Sequence, residues 1–116
     1  MAVVLETSER AVNDLLTTHY YKTSYEKLKD GILEILKGLK FRIVSIDDNY
    51  NELFAEIPHM TVLVKISEQN PRESAIDFYI NSEFLLFSGK KAANYLNTFY
   101  VELAKKFELK GTGLHK

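Results

Sequence analysis

Cysteine and tryptophan are both missing from the 116 residues, and only two prolines occur. Without cysteine there is no disulfide, no thiolate nucleophile and no cysteine-ligated zinc or iron–sulfur centre, and the composition suits a reducing compartment. Neither sign of charge dominates: 15 Lys and Arg against 16 Asp and Glu leave a formal net charge of -1. The bulk cationic field that drives unspecific nucleic-acid binding is therefore lacking, and nucleic acid is not an expected partner. Long apolar runs are lacking too, since nothing approaches the roughly 18 consecutive apolar residues of a membrane span. The first residues, Met1-Ala2-Val3-Val4-Leu5-Glu6, carry no basic leader, and their apolar run is too short for a signal peptide. The expectation is a soluble cytoplasmic protein.

Recognisable chemistry is the next absence. His19, His59 and His115 form no i, i+4 pair for zinc. Asp47, Asp48, Asn49, Asn51 and Glu52 resemble a calcium loop at first sight, but the template's glycine position falls at Glu52 and its bidentate glutamate at Pro58. Ser88-Gly89-Lys90-Lys91 has a Gly-Lys step but lacks the earlier glycine of a phosphate-binding loop. No serine sits in a nucleophile elbow, and Glu56 and Asp77 read as two surface carboxylates. No catalytic residue, metal ligand or cofactor site is assigned, and a non-enzymatic role is expected.

What is present is periodicity. From Phe41 to Asn81 apolar residues alternate in short bursts: Phe41 to Ile46, then Leu53, Ala55 and Ile57, then Met60, Val62, Val64 and Ile66, then Ile76, Phe78 and Ile80. The polar cluster Asp47 to Asn51, the Pro58-His59 step and Glu68 to Arg72 separate them as turns. Two stretches switch to helical spacing. Thr23-Ser24-Tyr25-Glu26 reads as a capping box ahead of Tyr25, Leu28, Ile32, Leu36 and Leu39, with Gly38 as terminator. Gly31 inside that helix is either a weak point or a place of close approach by a strand. A second helix opens at Ser88 or Gly89 and carries Ala92, Leu96, Phe99, Leu103 and Phe107 on one side.

These patterns predict an α+β fold, a two-layer sandwich in which an antiparallel sheet of three to four strands is flanked in sequence by two amphipathic helices packed on one face. The domain is expected over 23–108, preceded by an N-terminal segment, 1–22, holding a short helix and a possible edge strand, and followed by a flexible tail, 109–116. Phe84-Leu85-Leu86-Phe87 fits neither period and reads as a connection, a further strand or a contact patch. Charge is uneven: six basic and three acidic residues from Lys22 to Arg42, two and seven from Ile43 to Ser82, six and three from Glu83 to Lys116.

The succession Thr18 to Lys22, Thr23-Ser24-Tyr25-Glu26-Lys27-Leu28 and Leu36-Lys37-Gly38-Leu39-Lys40-Phe41-Arg42-Ile43, followed by a hairpin and a late helix, resembles small helix-sheet-helix domains of bacterial envelope lipoproteins and of uncharacterised bacterial families. The resemblance covers Thr18 to Phe107 and implies topology alone.

Two sets of residues carry functional expectations. Val44, Phe54, Leu63 and Tyr79 fall on the strand face opposite the apolar stripe, where water alone would favour polar groups; a binding or assembly module that forms a homodimer, or meets another protein, through this face is the leading reading. The alternative is a small-molecule or enzymatic cavity between helices and sheet, lined by Tyr25, Phe78, Tyr95 and Phe99.

Overall fold

In a computed structural model the chain is described over residues 3–11, 14–83 and 86–112. The strands are β1 (Val3–Glu6), β2 (His19–Tyr21), β3 (Arg42–Asp47), β4 (Glu52–Ile57), β5 (Met60–Asn70), β6 (Glu73–Ser82) and β7 (Leu109–Thr112); the helices are α1 (Tyr25–Gly38) and α2 (Ser88–Lys106). The β5–β6 hairpin, paired from Met60↔Ser82 to Asn70↔Glu73, is the backbone of the sheet. β4 and β3 extend it on one side and β2 and β7 on the other, in the order β3-β4-β5-β6-β2-β7, with β1 also on β6.

The turns follow from their residues. Asp47 Oδ1 accepts the backbone N–H groups of Asn49 at 2.9 Å and Tyr50 at 3.2 Å, and Asn51 adopts φ 56°. Ile57 pairs with Met60, so Pro58 and His59 are a two-residue link, with His59 at φ 68°. Asn70 Oδ1 accepts the Arg72 N–H at 2.9 Å at the far end of the hairpin. A side chain that offers its own acceptor to the next residues closes a turn without a strand partner.

α1 begins one residue later than the capping box predicts. Ser24 is the N-cap and its hydroxyl accepts the Lys27 N–H at 3.3 Å, while the Thr23 carbonyl accepts the Ser74 hydroxyl at 2.9 Å and ties the helix start to β6. The helix ends at Gly38 as expected, but the glycine is its last helical residue and not the left-handed one. Phe41 N–H reaches the Leu36 carbonyl at 2.9 Å and Lys40 N–H the Lys37 carbonyl at 3.0 Å, with Lys40 at φ 71°. This is the Schellman pattern, and the left-handed residue is a lysine because its position is dictated by the burial of Phe41 beside Leu36. Gly31 does not admit a strand: a Cβ there would lie 2.6 and 2.7 Å from the Phe107 ring, so the glycine gives space to the end of α2.

Both helices cover one face. Leu28, Ile32 and Leu36 of α1 and Ala92, Leu96, Phe99 and Leu103 of α2 join Leu53, Ala55, Val62, Val64, Ile66, Ile76, Phe78 and Ile80 in one buried cluster. The alternation read in β4, β5 and β6 therefore places the intended side chains inward. No described helix is long and apolar enough to cross a membrane.

The predicted sheet of three to four strands flanked by two helices is corrected: the described residues form a seven-stranded sheet, and strands lie outside both helices in sequence. The expected segment 1–22 contributes β1 and β2, and Leu109–Thr112, expected as tail, is β7; residues 113–116 lie outside those described. The physical reason is that β1, β2 and β7 hold three or four residues each, too few for a period to register. β1 and β2 form because β6 has an outer edge whose N–H and C=O groups need partners, and β7 in turn pairs with the edge of β2.

β1 and β2 occupy one lane. Val3–Glu6 pairs with Ser82 to Tyr79, and His19–Tyr21 with Ile76 to Ser74, both antiparallel to β6. The lane is a single strand opened at Asp77 by an insertion from Ser8 to Thr17, which includes a 3-10 turn at Asp14–Leu16 in place of the expected short helix; residues 12 and 13 lie outside those described.

Candidate functional site

The face away from the helices divides at this insertion. Residues that pair across strands share a face, so the registers define its rows. One row runs Ser45–Phe54–Leu63–Tyr79–Glu6, and its neighbour Arg42–Glu56–Thr61–Asn81–Val4. Phe54, Leu63 and Tyr79 thus stand directly beside one another on three strands. Val44 is the extra residue of a bulge in β3, next to Ser45. Tyr79 is 39%, Val44 42% and Val4 47% exposed, while Phe54 and Leu63 are half-buried. The four interface candidates therefore fall on one partly open surface. Val4 belongs to it as well, and sequence reasoning missed it because β1 is too short to announce itself.

Charges on and beside this open half are matched only in part, since Glu6 makes no ion pair with a described residue. The Arg42 guanidinium pairs with Glu56, and Lys65 lies 3.9 Å from Glu52. Glu56 and Asp77 share the face but have separate partners, Glu56 the arginine and Asp77 two threonines.

The other half is covered. Tyr20 and Ala75, paired on the same face, are 1% and 3% exposed, and the Tyr20 hydroxyl donates to the Glu9 carboxylate of the insertion. The insertion is clasped at its neck. Thr7 and Thr18 hydroxyls both donate to Asp77 Oδ1, at 2.6 and 2.7 Å; Thr7 Oγ1 also accepts the Phe78 N–H at 2.9 Å. Ser8 N–H bonds the Leu16 carbonyl at 2.9 Å, and Thr18 N–H the Ser8 carbonyl at 3.1 Å. Behind the clasp, on the helix side, the His19 ring stacks on Tyr100 with centroids 3.5 Å apart, the Tyr100 hydroxyl donates to the Thr17 carbonyl at 3.3 Å, and His19 Nδ1 lies 2.9 Å from the same oxygen. Burial pushes the phenols of Tyr21 and Tyr100 far above their ordinary range; for Tyr100 the neighbouring Tyr21 and Asp77 add to it.

The proposed cavity residues lie inside the helix–sheet layer. Phe78 and Phe99 are buried and stacked at 5.2 Å, Tyr95 is 6.3 Å from Phe99, and Phe41 meets both Tyr95 and Phe99 edge-on at 5.3 and 5.8 Å. Tyr25 is half-buried, with the Lys29 ammonium 5.9 Å from its ring centre. Of the Phe84 to Phe87 run, the first two residues lie outside those described; Leu86 and Phe87 are exposed, Phe87 at φ 61°. Among the described residues no group of three or more His, Asp or Glu side chains is placed to hold a metal ion.

In comparison with known proteins, no family model, no curated protein and no solved structure matches this chain.

Proposed function

We propose that the protein is a binding and assembly module that pairs with a second copy of itself through the open half of the second face. The observation that carries this reading is the continuous row Phe54–Leu63–Tyr79, bordered by Val44 and Val4, on a sheet surface that the insertion leaves uncovered. A second copy is favoured over an ionic partner because the centre of this surface is aromatic and aliphatic, and Arg42 beside it is already paired with Glu56. Face-to-face contact is favoured over strand addition because the outer strand β3 carries the bulge at Val44, which interrupts a ladder. Strand lanes about 4.8 Å apart and a rise of about 3.3 Å per residue give the open half on the order of 450 Å² in projection, the low end for a specific interface. The association is accordingly weak and concentration-dependent. The cysteine-free composition suits the cytoplasm as its setting.

Sedimentation velocity over a wide concentration range tests this. The expected result is a monomer–dimer equilibrium that Leu63→Glu abolishes while the far-ultraviolet circular dichroism stays the same. A wild-type chain that remains monomeric at the highest soluble concentration removes the proposal.

A further inference from the structure

The insertion does more than cover Tyr20: it raises one wall of a cleft. Thr7, Ser8, Glu9 and Arg10 stand on one side, Lys65, Ser67 and Gln69 of β5 on the other, and Ala75 and Asp77 of β6 form the floor of this open cleft of about 500 Å³. That volume falls within the ~300–1,000 Å³ of small-molecule sites.

Its charges are two of each sign, Glu9 and Asp77 against Arg10 and Lys65, so the lining is formally neutral with separated charges. The internal bonds decide which of them remain available. Glu9 is taken by the Tyr20 hydroxyl. Both threonines of the clasp use Asp77 Oδ1, and Oδ2 takes no partner among the described residues. Arg10 makes no ion pair with a described residue, and Lys65 has only the distant Glu52 oxygen at 3.9 Å. A carboxylate anchored through Oδ1 by two hydroxyls, with Oδ2 left over, therefore lines the same cleft as two cations with unspent donors.

We infer that this cleft binds a small zwitterion, an α-amino acid being the simplest, whose ammonium meets Asp77 Oδ2 and whose carboxylate meets Arg10 and Lys65. A simple anion would leave Asp77 and Glu9 opposing it, and a simple cation would face Arg10 and Lys65. Only a ligand with both charges uses both sets. Ser8, Ser67 and Gln69 are placed to meet a polar side chain. The inference does not depend on self-association, because the cleft lies in the covered half of the face.

The test is a titration of ¹⁵N-labelled Leu63→Glu protein, monomeric or not, with free amino acids from glycine to tyrosine, and with acetate and methylamine as the two half-ligands. Amino acids should shift the amides of Thr7 to Arg10, Lys65 to Gln69 and Ala75 to Asp77, and should bind at least about tenfold more tightly than either half. Asp77→Asn keeps a carbonyl for the two threonines but turns the open oxygen into an N–H donor, and Arg10→Gln removes an exposed charge outside the fold's core; each should weaken binding by about tenfold or more. Acetate or methylamine binding as well as the amino acids, binding indifferent to Arg10→Gln, or no shift with any amino acid would each overturn the inference.

Discussion

The two halves of the second sheet face are built from the same strands, β5 and β6, with the same pleat, and they differ in what lies above them. At one end the insertion Ser8 to Thr17 closes over Tyr20 and Ala75 and buries them; at the other Tyr79, Val44 and Val4 remain 39% to 47% exposed. A sheet that needs only one dry face places polar side chains on the other. Here the chain covers part of its second face with its own backbone and leaves an aromatic and aliphatic row on the rest. The difference separates what the monomer requires from what a partner would use: the insertion buries one half and walls the cleft beside it, and the open half is the surface that the proposed association would occupy.

The largest effect should come from uncovering the closed half. Tyr20→Ala removes a fully buried ring under the insertion, and its cost should be about 3–5 kcal/mol, measured by denaturant unfolding. Next is alkaline pH. Tyr21 and Tyr100, behind the clasp, are raised from their ordinary 10.0 by burial, so the folded state keeps protons that the unfolded state gives up. Their contribution is intact below pH 10 and is lost as pH climbs above it, at about 1.4 kcal/mol per pH unit for each tyrosine. Amide exchange should open first at Thr7, Thr18 and Asp77, and Tyr100→Phe should make the slope roughly half as steep. A slope unaltered by Tyr100→Phe would mean that the clasp does not depend on this buried phenol. Third is Asp77→Ala, which strands two hydroxyls that are otherwise satisfied; about 2 kcal/mol is expected, with loss of exchange protection confined to the insertion.

How much of this was legible in the sequence depends on range. The alternation Met60, Val62, Val64, Ile66 is local, and a period of two needs only neighbours to be read; all four are buried as it implies. The helices were legible for the same reason, although their ends were set by packing: Lys40, not Gly38, takes the left-handed position because Phe41 has to reach Leu36. The candidate row Phe54, Leu63 and Tyr79 also followed from alternation. The clasp did not, because Asp77 lies 70 positions from Thr7 and 59 from Thr18, and no local pattern links them. The same holds for β1, β2 and β7, whose existence depends on the edge they cover.

The smallest effect on the monomer should be found on the open half. Leu63 is half-buried, and its cross-strand neighbours Phe54 and Tyr79 lie on the same exposed row, so a glutamate there can turn its carboxylate into water. The expected loss of monomer stability is about 1 kcal/mol or less, within the range of surface substitutions and well under that for Tyr20→Ala. Unfolding measured at low protein concentration isolates this term, since the proposed association would otherwise add to the apparent stability of the wild type by mass action. A cost as large as that of Tyr20→Ala would mean that Leu63 is packed in the monomer as tightly as Tyr20, and the two halves would then no longer differ in kind.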